Sequence, residues 1–243
     1  MDTIAGEWIM KGCRRSDPSC LHSPEDLLDL VREIGFLPLF SNEIPGFSVE
    51  EHTPAADWWT DDPGHDPWAW RQIAAPDPFV AYGKFFDRKA GFVSKEWFPA
   101  FANYRRDGYD AEGLYQDGKM NSRCKRILDV LEPDEDAVGQ ALLSCDLRKR
   151  AALEKGFEGA VTELQMKTFL IVSGFRQKRN RHGEPYGWHV SELATPETKW
   201  GWDAVNWCDE KPDESWQRIC GQIRKHFPRA DEARVRKVLG IRK

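Results

Sequence analysis

The sequence has no long hydrophobic run, no closely spaced pair of cysteines and no excess of positive charge. No segment approaches the roughly 20 apolar residues of a membrane-spanning helix, and residues 1–7 lack the basic and apolar parts of a signal peptide. The six cysteines are scattered without a Cys-x-x-Cys pair, which is typical of reduced thiols and not of a zinc site. We therefore expect a cytoplasmic protein with no membrane contact, no metal and no cofactor.

Short motifs of several enzyme classes are also missing. The chain has no Gly-x-Ser-x-Gly, no Gly-x-x-x-x-Gly-Lys and no Gly-x-Gly-x-x-Gly. These motifs place glycines where the backbone must turn sharply at a nucleophile or come close to a phosphate. Their absence removes the usual sequence support for a serine hydrolase, a P-loop nucleotidase or a dinucleotide-dependent enzyme.

The net charge of -5 over 243 residues argues against a protein that binds nucleic acid over its whole surface. The charge is unevenly distributed, because residues 1–78 carry -10 whereas residues 79–120 carry +1. Residues 121–194 carry +1 and residues 195–243 carry +3. We therefore expect any nucleic-acid surface to lie after residue 78.

Residues 121–194 have the order of elements that is typical of a winged helix-turn-helix. Apolar spacing predicts a first helix over 121–131, which Pro133 would end. A short helix is predicted over 145–150, with Ser144 as its cap, and a third helix over 158–168. The second helix of such a motif braces the third, which lies nearest to DNA.

After residue 170 the apolar pattern changes from helical spacing to alternation. The runs 171–175 and 186–190 predict two strands, and the segment 176–183 between them is rich in Lys and Arg. A hairpin with a cationic tip, here near 180–183, is typical of the wing of this fold. The predicted fold class is therefore α+β. The predicted domains are an N-terminal α+β region at 1–120, the winged helix at 121–194 and a basic helical tail at 195–243.

Capping residues and apolar spacing predict elements outside this segment as well. They are a helix over 24–34, short helices from Pro54 and Pro67, a hairpin over 79–94, a helix over 95–107 that Ser94 would cap, and tail helices from 195, over 214–227 and over 231–239.

Double-stranded DNA is the expected partner of the winged helix. The outward face of the third helix would approach base edges, and cations on the hairpin would contact phosphates, because each neutralised phosphate releases counterions. The expected contacts are Thr162, Gln165 and Lys167 on the helix and Arg176, Lys178, Arg179 and Arg181 on the hairpin. Two other interpretations stay open: hairpin tips are often charged only because they are solvated, and winged helices also serve as protein-interaction modules.

Residues 50–72 combine four tryptophans with aspartates and histidines. An enzyme that acts on a nucleobase would use such acids beside stacking rings, and the candidate catalytic residues are Asp57, Asp61, His65 and Asp66. A structural interpretation has the tryptophans packing a small helical layer while the aspartates cap helices and close turns. We prefer the structural interpretation, because the Asp-Pro pairs fall where helix caps belong.

The chain carries four longer motifs: GFLPLF at 35–40, VAYGKFF at 80–86, FPAFANYRRDGYD at 98–110 and TELQM at 162–166. They resemble the bacterial AlkZ-related family, relatives of the winged-helix DNA glycosylases that unhook crosslinked purines. The resemblance covers nearly the whole chain, and it implies a fold that holds duplex DNA and a link to DNA repair.

The resemblance does not extend to the catalytic motif of those glycosylases. They carry Gln-x-Gln or Gln-x-Asp, whose polar side chains position a water molecule at the glycosidic carbon. No glutamine of this chain has Gln or Asp two positions later. No catalytic residue is therefore carried over, and we expect the protein to bind alkylated DNA without releasing a base.

Overall fold

The computed structural model describes residues 2–4, 7–132 and 139–240, with side chains from residue 9 onward. Pro133, the predicted end of the first helix of the winged-helix segment, lies outside the described residues. The helices are α1 Pro24–Ile34, α2 Pro67–Ala74, α3 Phe98–Arg106, α4 Ala111–Gln116, α5 Ser122–Leu131, α6 Ser144–Arg150, α7 Phe157–Met166, α8 Pro196–Trp200, α9 Trp202–Asn206, α10 Pro212–His226 and α11 Glu232–Val238. The strands are β1 Asp2–Ile4, β2 Glu7–Ile9, β3 Phe36–Pro38, β4 Val80–Phe86, β5 Lys89–Ser94, β6 Leu142–Leu143, β7 Ile171–Arg179 and β8 Pro185–Ala194. None of the described helices is both long enough and apolar enough to cross a bilayer.

Side-chain caps begin several of these helices where the sequence predicts them. The Ser23 hydroxyl accepts the N–H of Asp26 at 3.1 Å at the start of α1, and the Asn121 side chain accepts two N–H groups at the start of α5. Such caps satisfy amide groups that have no partner within the helix. At the other end of α1, Gly35 adopts a φ of 85°, which a residue with a side chain rarely adopts. The chain then turns directly into β3.

Six strands form one antiparallel sheet in the order β3-β5-β4-β7-β8-β6, and β1 and β2 pair separately. A single residue pair, Tyr82 opposite Val172, connects β4 of the first hairpin to β7 of the second. The sheet therefore continues across the predicted boundary between residues 120 and 121.

Alternate residues of the central strands point into two different cores. On β4, Val80 and Tyr82 pack into a core that includes residues of α1, α2, α5, α6 and α7. Ala81 and Phe85 pack into a second core with residues of α3, α10 and α11. This alternation follows from the period of two in a strand, and it means that the centre of the sheet is covered on both faces.

Several predicted caps and element boundaries are wrong. Ser94 does not cap a helix, because it pairs with Val80 at the end of β5 and α3 begins only at Phe98. Ser144 is the first residue of α6 and not its cap. The helix predicted from Pro54 is a single 3₁₀ turn, and α7 ends at Met166 because the chain turns away at Thr168, which has a φ of 62°.

Candidate nucleic-acid interface

The hairpin of β7 and β8 is longer than the sequence predicts. Its strands pair from Ile171 opposite Ala194 to Arg179 opposite Pro185. The Asn180 side chain closes the tip, since its oxygen accepts the N–H of His182 at 2.8 Å and that of Glu184 at 3.0 Å. Asparagine suits this position because its short side chain can bond to the backbone two residues on. Hydrogen bonds thus order the cationic tip.

The four predicted phosphate contacts of the hairpin do not carry equal charge. Arg176 forms an ion pair with Glu192 on the neighbouring strand. Within the described residues Lys178, Arg179 and Arg181 form no ion pair; Arg179 donates to the carbonyl of Gly183 at 2.7 Å, and Arg181 donates to the His182 ring at 3.0 Å. Three of the four cations therefore keep an unneutralised charge at the exposed end of the hairpin.

A β-bulge interrupts β8 on the way to the tip. Arg176 lies opposite Val190, but Lys178 lies opposite Tyr186, so two residues of β7 span four residues of β8. Gly187 has a φ of 71° within this bulge, and its carbonyl accepts a bond from the Gln177 side chain at 3.0 Å. Bulges of this kind change the direction in which a side chain points.

Two aromatic side chains are exposed at the bulge. Trp188 is 93% exposed and Tyr186 is 52% exposed. Burial of a tryptophan normally contributes favourable free energy to folding, so a ring this exposed contributes little to the stability of the free protein. The prediction from sequence missed Trp188 as a candidate, because it read Tyr186 to Val190 as regular strand. Gly187 is the signal that indicates a bulge.

The expectation that Thr162 and Gln165 face outward from the third helix is wrong. Thr162 is 6% exposed and Gln165 is 2% exposed, because α7 packs against both α5 and β4. The Gln165 side chain accepts the backbone N–H of Lys84 at 2.6 Å. Lys167 is half-buried and donates to the carbonyl of Lys119 at 2.8 Å. None of these three side chains presents a group that can reach base edges while these contacts hold.

The remaining surface of α7 is acidic. Glu158 is exposed and pairs with Arg148, while Glu163 accepts a bond from Asn121 at 2.6 Å and lies 3.4 Å from the Lys167 ammonium. Each of these carboxylates pairs with a cation, so this face offers no free positive charge to a phosphate backbone. The hairpin, and not α7, therefore offers the cationic surface of this segment.

The candidate acids of the Trp-rich segment are held in separate interactions. Asp66 is buried and caps α2, and its carboxylate accepts the N–H of Trp68 at 2.8 Å and that of Trp59 at 3.0 Å. Asp57 pairs with Arg15 at 2.6 Å. Asp66 therefore caps a helix and Asp57 forms an ion pair, as expected if these acids have structural and not catalytic roles.

His65 and Asp61 lie in the exposed turn that precedes α2. The His65 ring bonds to the Asp62 carboxylate at 2.8 Å, and this bond lowers the pKa of Asp62. A fully exposed pair offers little of the desolvation that tunes an acid for catalysis. The structure does not bring the four candidates together in an enclosed site.

Comparisons with known proteins found one matching family and one similar solved structure. A family model described as AlkZ related matches residues 21–240. Among solved structures the chain is similar to the Streptomyces sahachiroi DNA glycosylase AlkZ, with 12% identity and a TM-score of 0.44 over 92% of this chain and 60% of that chain. The chain thus spans about three-fifths of the length of that glycosylase. A comparison with curated proteins found no match.

Proposed function

The chain belongs to the AlkZ-related family, and from this we propose that it is a DNA-binding protein linked to DNA repair, with the β7–β8 hairpin as its contact to duplex DNA. The observation that carries the proposal is the hairpin itself. It combines three cations, Lys178, Arg179 and Arg181, that form no ion pair with any described residue, with the exposed ring of Trp188. Free positive charge beside an exposed aromatic ring is the combination that nucleic acid recognises.

We further propose that residues 121–194 act as a winged helix, with this hairpin as the wing. The order α5, β6, α6, α7, β7, β8 supports the assignment, as does the pairing of β6 with β8 through Leu142 and Leu193. In this arrangement the wing lies along the DNA backbone, and α6 packs against β8 at its base. The acidic surface and buried polar groups of α7 favour this use of the motif over reading by the third helix.

Phosphate contacts and the aromatic ring have different parts in the proposed complex. The cations neutralise phosphates and release counterions, which supplies affinity without sequence preference. Trp188 adds a flat apolar surface that can stack on a base or enter between two base pairs. We therefore propose that the hairpin holds duplex DNA with little sequence specificity and favours sites where stacking is already weak.

Anisotropy titration of an end-labelled duplex with the full chain tests the proposal. We expect binding that weakens steeply as salt is added, and a large loss of affinity when Lys178, Arg179 and Arg181 are replaced by Ala. The control is replacement of three exposed cations of the tail, Arg224, Lys225 and Arg229, by Ala. Equal losses in both triple variants would indicate nonspecific attraction and contradict a contact through the hairpin.

A further inference from the structure

A cavity of about 180 Å³ lies at the base of the hairpin, among α2, β4, β7, β8, the start of α6 and one side of α7. It forms where β4 and β7 pair only through Tyr82 and Val172. None of the candidate residues on the hairpin lines it. Its wall contains three aromatic rings, those of Tyr82, Phe157 and Phe175. The polar side chains in the wall are those of Arg71, Lys84, Ser144, Glu158, Gln165 and Ser191.

The aromatic wall is packed through tilted contacts between rings. The Tyr82 ring lies 6.1 Å from Phe175 and 5.1 Å from Phe92, centroid to centroid. The Arg71 guanidinium lies 3.3 Å from the centre of the Trp68 ring and 5.4 Å from that of Phe175. Burial raises the pKa of Tyr82, so its hydroxyl stays protonated, and the nearest Arg71 nitrogen is 3.5 Å from it. The cavity thus offers flat apolar surface with hydrogen-bond donors at its edge.

Gln165 supplies a donor that has no partner. Its side-chain oxygen must face the N–H of Lys84, because a backbone N–H bonds only to an acceptor. This fixes the orientation of the amide and leaves the NH₂ group on the other side. Among the described residues the NH₂ group has no hydrogen-bond partner, although the residue is only 2% exposed and lines the cavity. The NH₂ group is open to the cavity and is not fully buried, so an acceptor on a ligand would take the place of water there.

We propose that this cavity takes a single nucleobase displaced from the duplex that the hairpin holds. The ring would lie against Tyr82 and Phe175, with an acceptor on its edge facing the NH₂ of Gln165 and the guanidinium of Arg71. The volume suits one flat ring system, since it is below the roughly 300 Å³ at which sites for larger organic ligands begin. The inference rests on the proposed function, because the hairpin that lines the cavity also brings the DNA to it.

The test compares two end-labelled duplexes of the same sequence, one fully paired and one with a single extrahelical base. We expect the full chain to bind the second roughly tenfold more tightly, since stacking and a hydrogen bond to the Gln165 NH₂ group in the cavity are added. Gln165→Glu keeps an acceptor for Lys84 but removes the NH₂ donor, and it should bring the affinity ratio close to one. Gln217→Glu makes the same change at an exposed position of α10 and should keep the tenfold ratio.

Ser191→Phe provides a second variant in case Gln165→Glu does not fold. Ser191 is half-exposed and lines the cavity, so a phenyl ring there would fill the space without disturbing the core. It should also bring the ratio close to one while leaving the affinity for paired duplex within about twofold, as expected for a change away from the phosphate contacts.

The outcomes separate this inference from the proposed function. Equal affinity of the unmodified chain for both duplexes overturns the cavity proposal and leaves duplex binding intact, whereas binding of neither duplex overturns the proposed function. If Gln165→Glu or Ser191→Phe still prefers the duplex with the extrahelical base, the preference comes from the hairpin and the cavity proposal is overturned. Titration with free 2-aminopurine riboside is the last arm. Tight binding of that nucleoside without any duplex preference would identify a free-nucleoside site and contradict a base delivered by DNA.

Discussion

Lys178, Arg179 and Arg181 of the hairpin form no ion pair in the part of the chain that the structure describes, and removing them should weaken the salt dependence of duplex binding by a predictable amount. The slope of the logarithm of affinity against the logarithm of salt changes by about 0.9 for each phosphate contact to B-DNA. Replacement of Lys178, Arg179 and Arg181 by Ala should therefore lower its magnitude by up to about 2.7. Between 50 and 200 mM salt, the unmodified chain would lose up to roughly 40-fold more affinity than the variant, on the same relation.

Arg176 is the matched control within the same hairpin. Its guanidinium pairs with Glu192, so the pair as a whole carries no net charge. Arg176→Ala removes one cation, as each of the other substitutions does. The charge of Arg176 is already neutralised by Glu192, so this cation contributes less to phosphate contact. We therefore expect its effect on the slope to be clearly smaller than the average effect of Lys178, Arg179 and Arg181.

Anisotropy titrations at four or more potassium chloride concentrations give the slopes, and circular dichroism checks that each variant is folded. A triple variant with an unchanged slope and intact folding would remove the hairpin from the interface. A slope change for Arg176→Ala as large as the average of the other three would show that the ion pair with Glu192 does not hold the arginine back from phosphate, and the reasoning from the structure would fail.

Three other predictions concern single side chains. Trp188→Ala should weaken duplex affinity by roughly tenfold through lost stacking while changing the free energy of unfolding by less than about 0.5 kcal/mol. The control is Trp207→Ala, which removes a 69% exposed tryptophan outside the hairpin and should change neither quantity. Equal losses of affinity for the two variants in an anisotropy titration would contradict a role for Trp188. Arg106→Met should lower the free energy of unfolding in urea by about 3–5 kcal/mol, because Glu197 would be left with its buried charge unpaired, and a loss under about 1 kcal/mol would contradict that reasoning. Burial lowers the pKa of Lys199 from 10.5 to about 8, so the unfolded chain binds more protons between these values and the free energy of unfolding should rise with pH from 8 to 10.5. Lys199→Met should lack this part of the rise in urea titrations, and an identical pH dependence would exclude the lowered pKa.

Much of the local structure could be predicted because it depends on residues close together in the chain. The helices predicted over 24–34 and 121–131 are α1 and α5, where Ser23 caps α1, Gly35 ends it and Asn121 caps α5, since a cap needs only its own helix turn. The change from helical to alternating spacing after residue 170 likewise predicted the hairpin, whose strands are β7 and β8. The positions of the hairpin cations follow from the same local pattern.

The error at α7 came from a contact between distant parts of the chain. Helical spacing predicted one apolar face, which is what an amphipathic helix normally buries. The structure covers a second face with β4, and Gln165 bonds to a strand 81 residues earlier in the chain. No periodicity within α7 carries information about that strand. Gln165 is therefore buried and lines a cavity, although helical spacing alone predicted that it faces outward.

The exposure of Trp188 and the cavity beside Gln165 were also decided by tertiary structure. Alternation predicted Trp188 as an ordinary strand residue, whereas the bulge at Gly187 changes its direction. The cavity is lined by residues from Arg71 to Leu193, which become neighbours only when β7 joins the sheet beside β4. The sequence by itself thus determined the helices, the strands and the cationic hairpin, because short-range hydrogen bonds and side-chain spacing determine such elements. Packing between segments far apart in the chain decided which of their side chains are buried, which are exposed and where a ligand could bind.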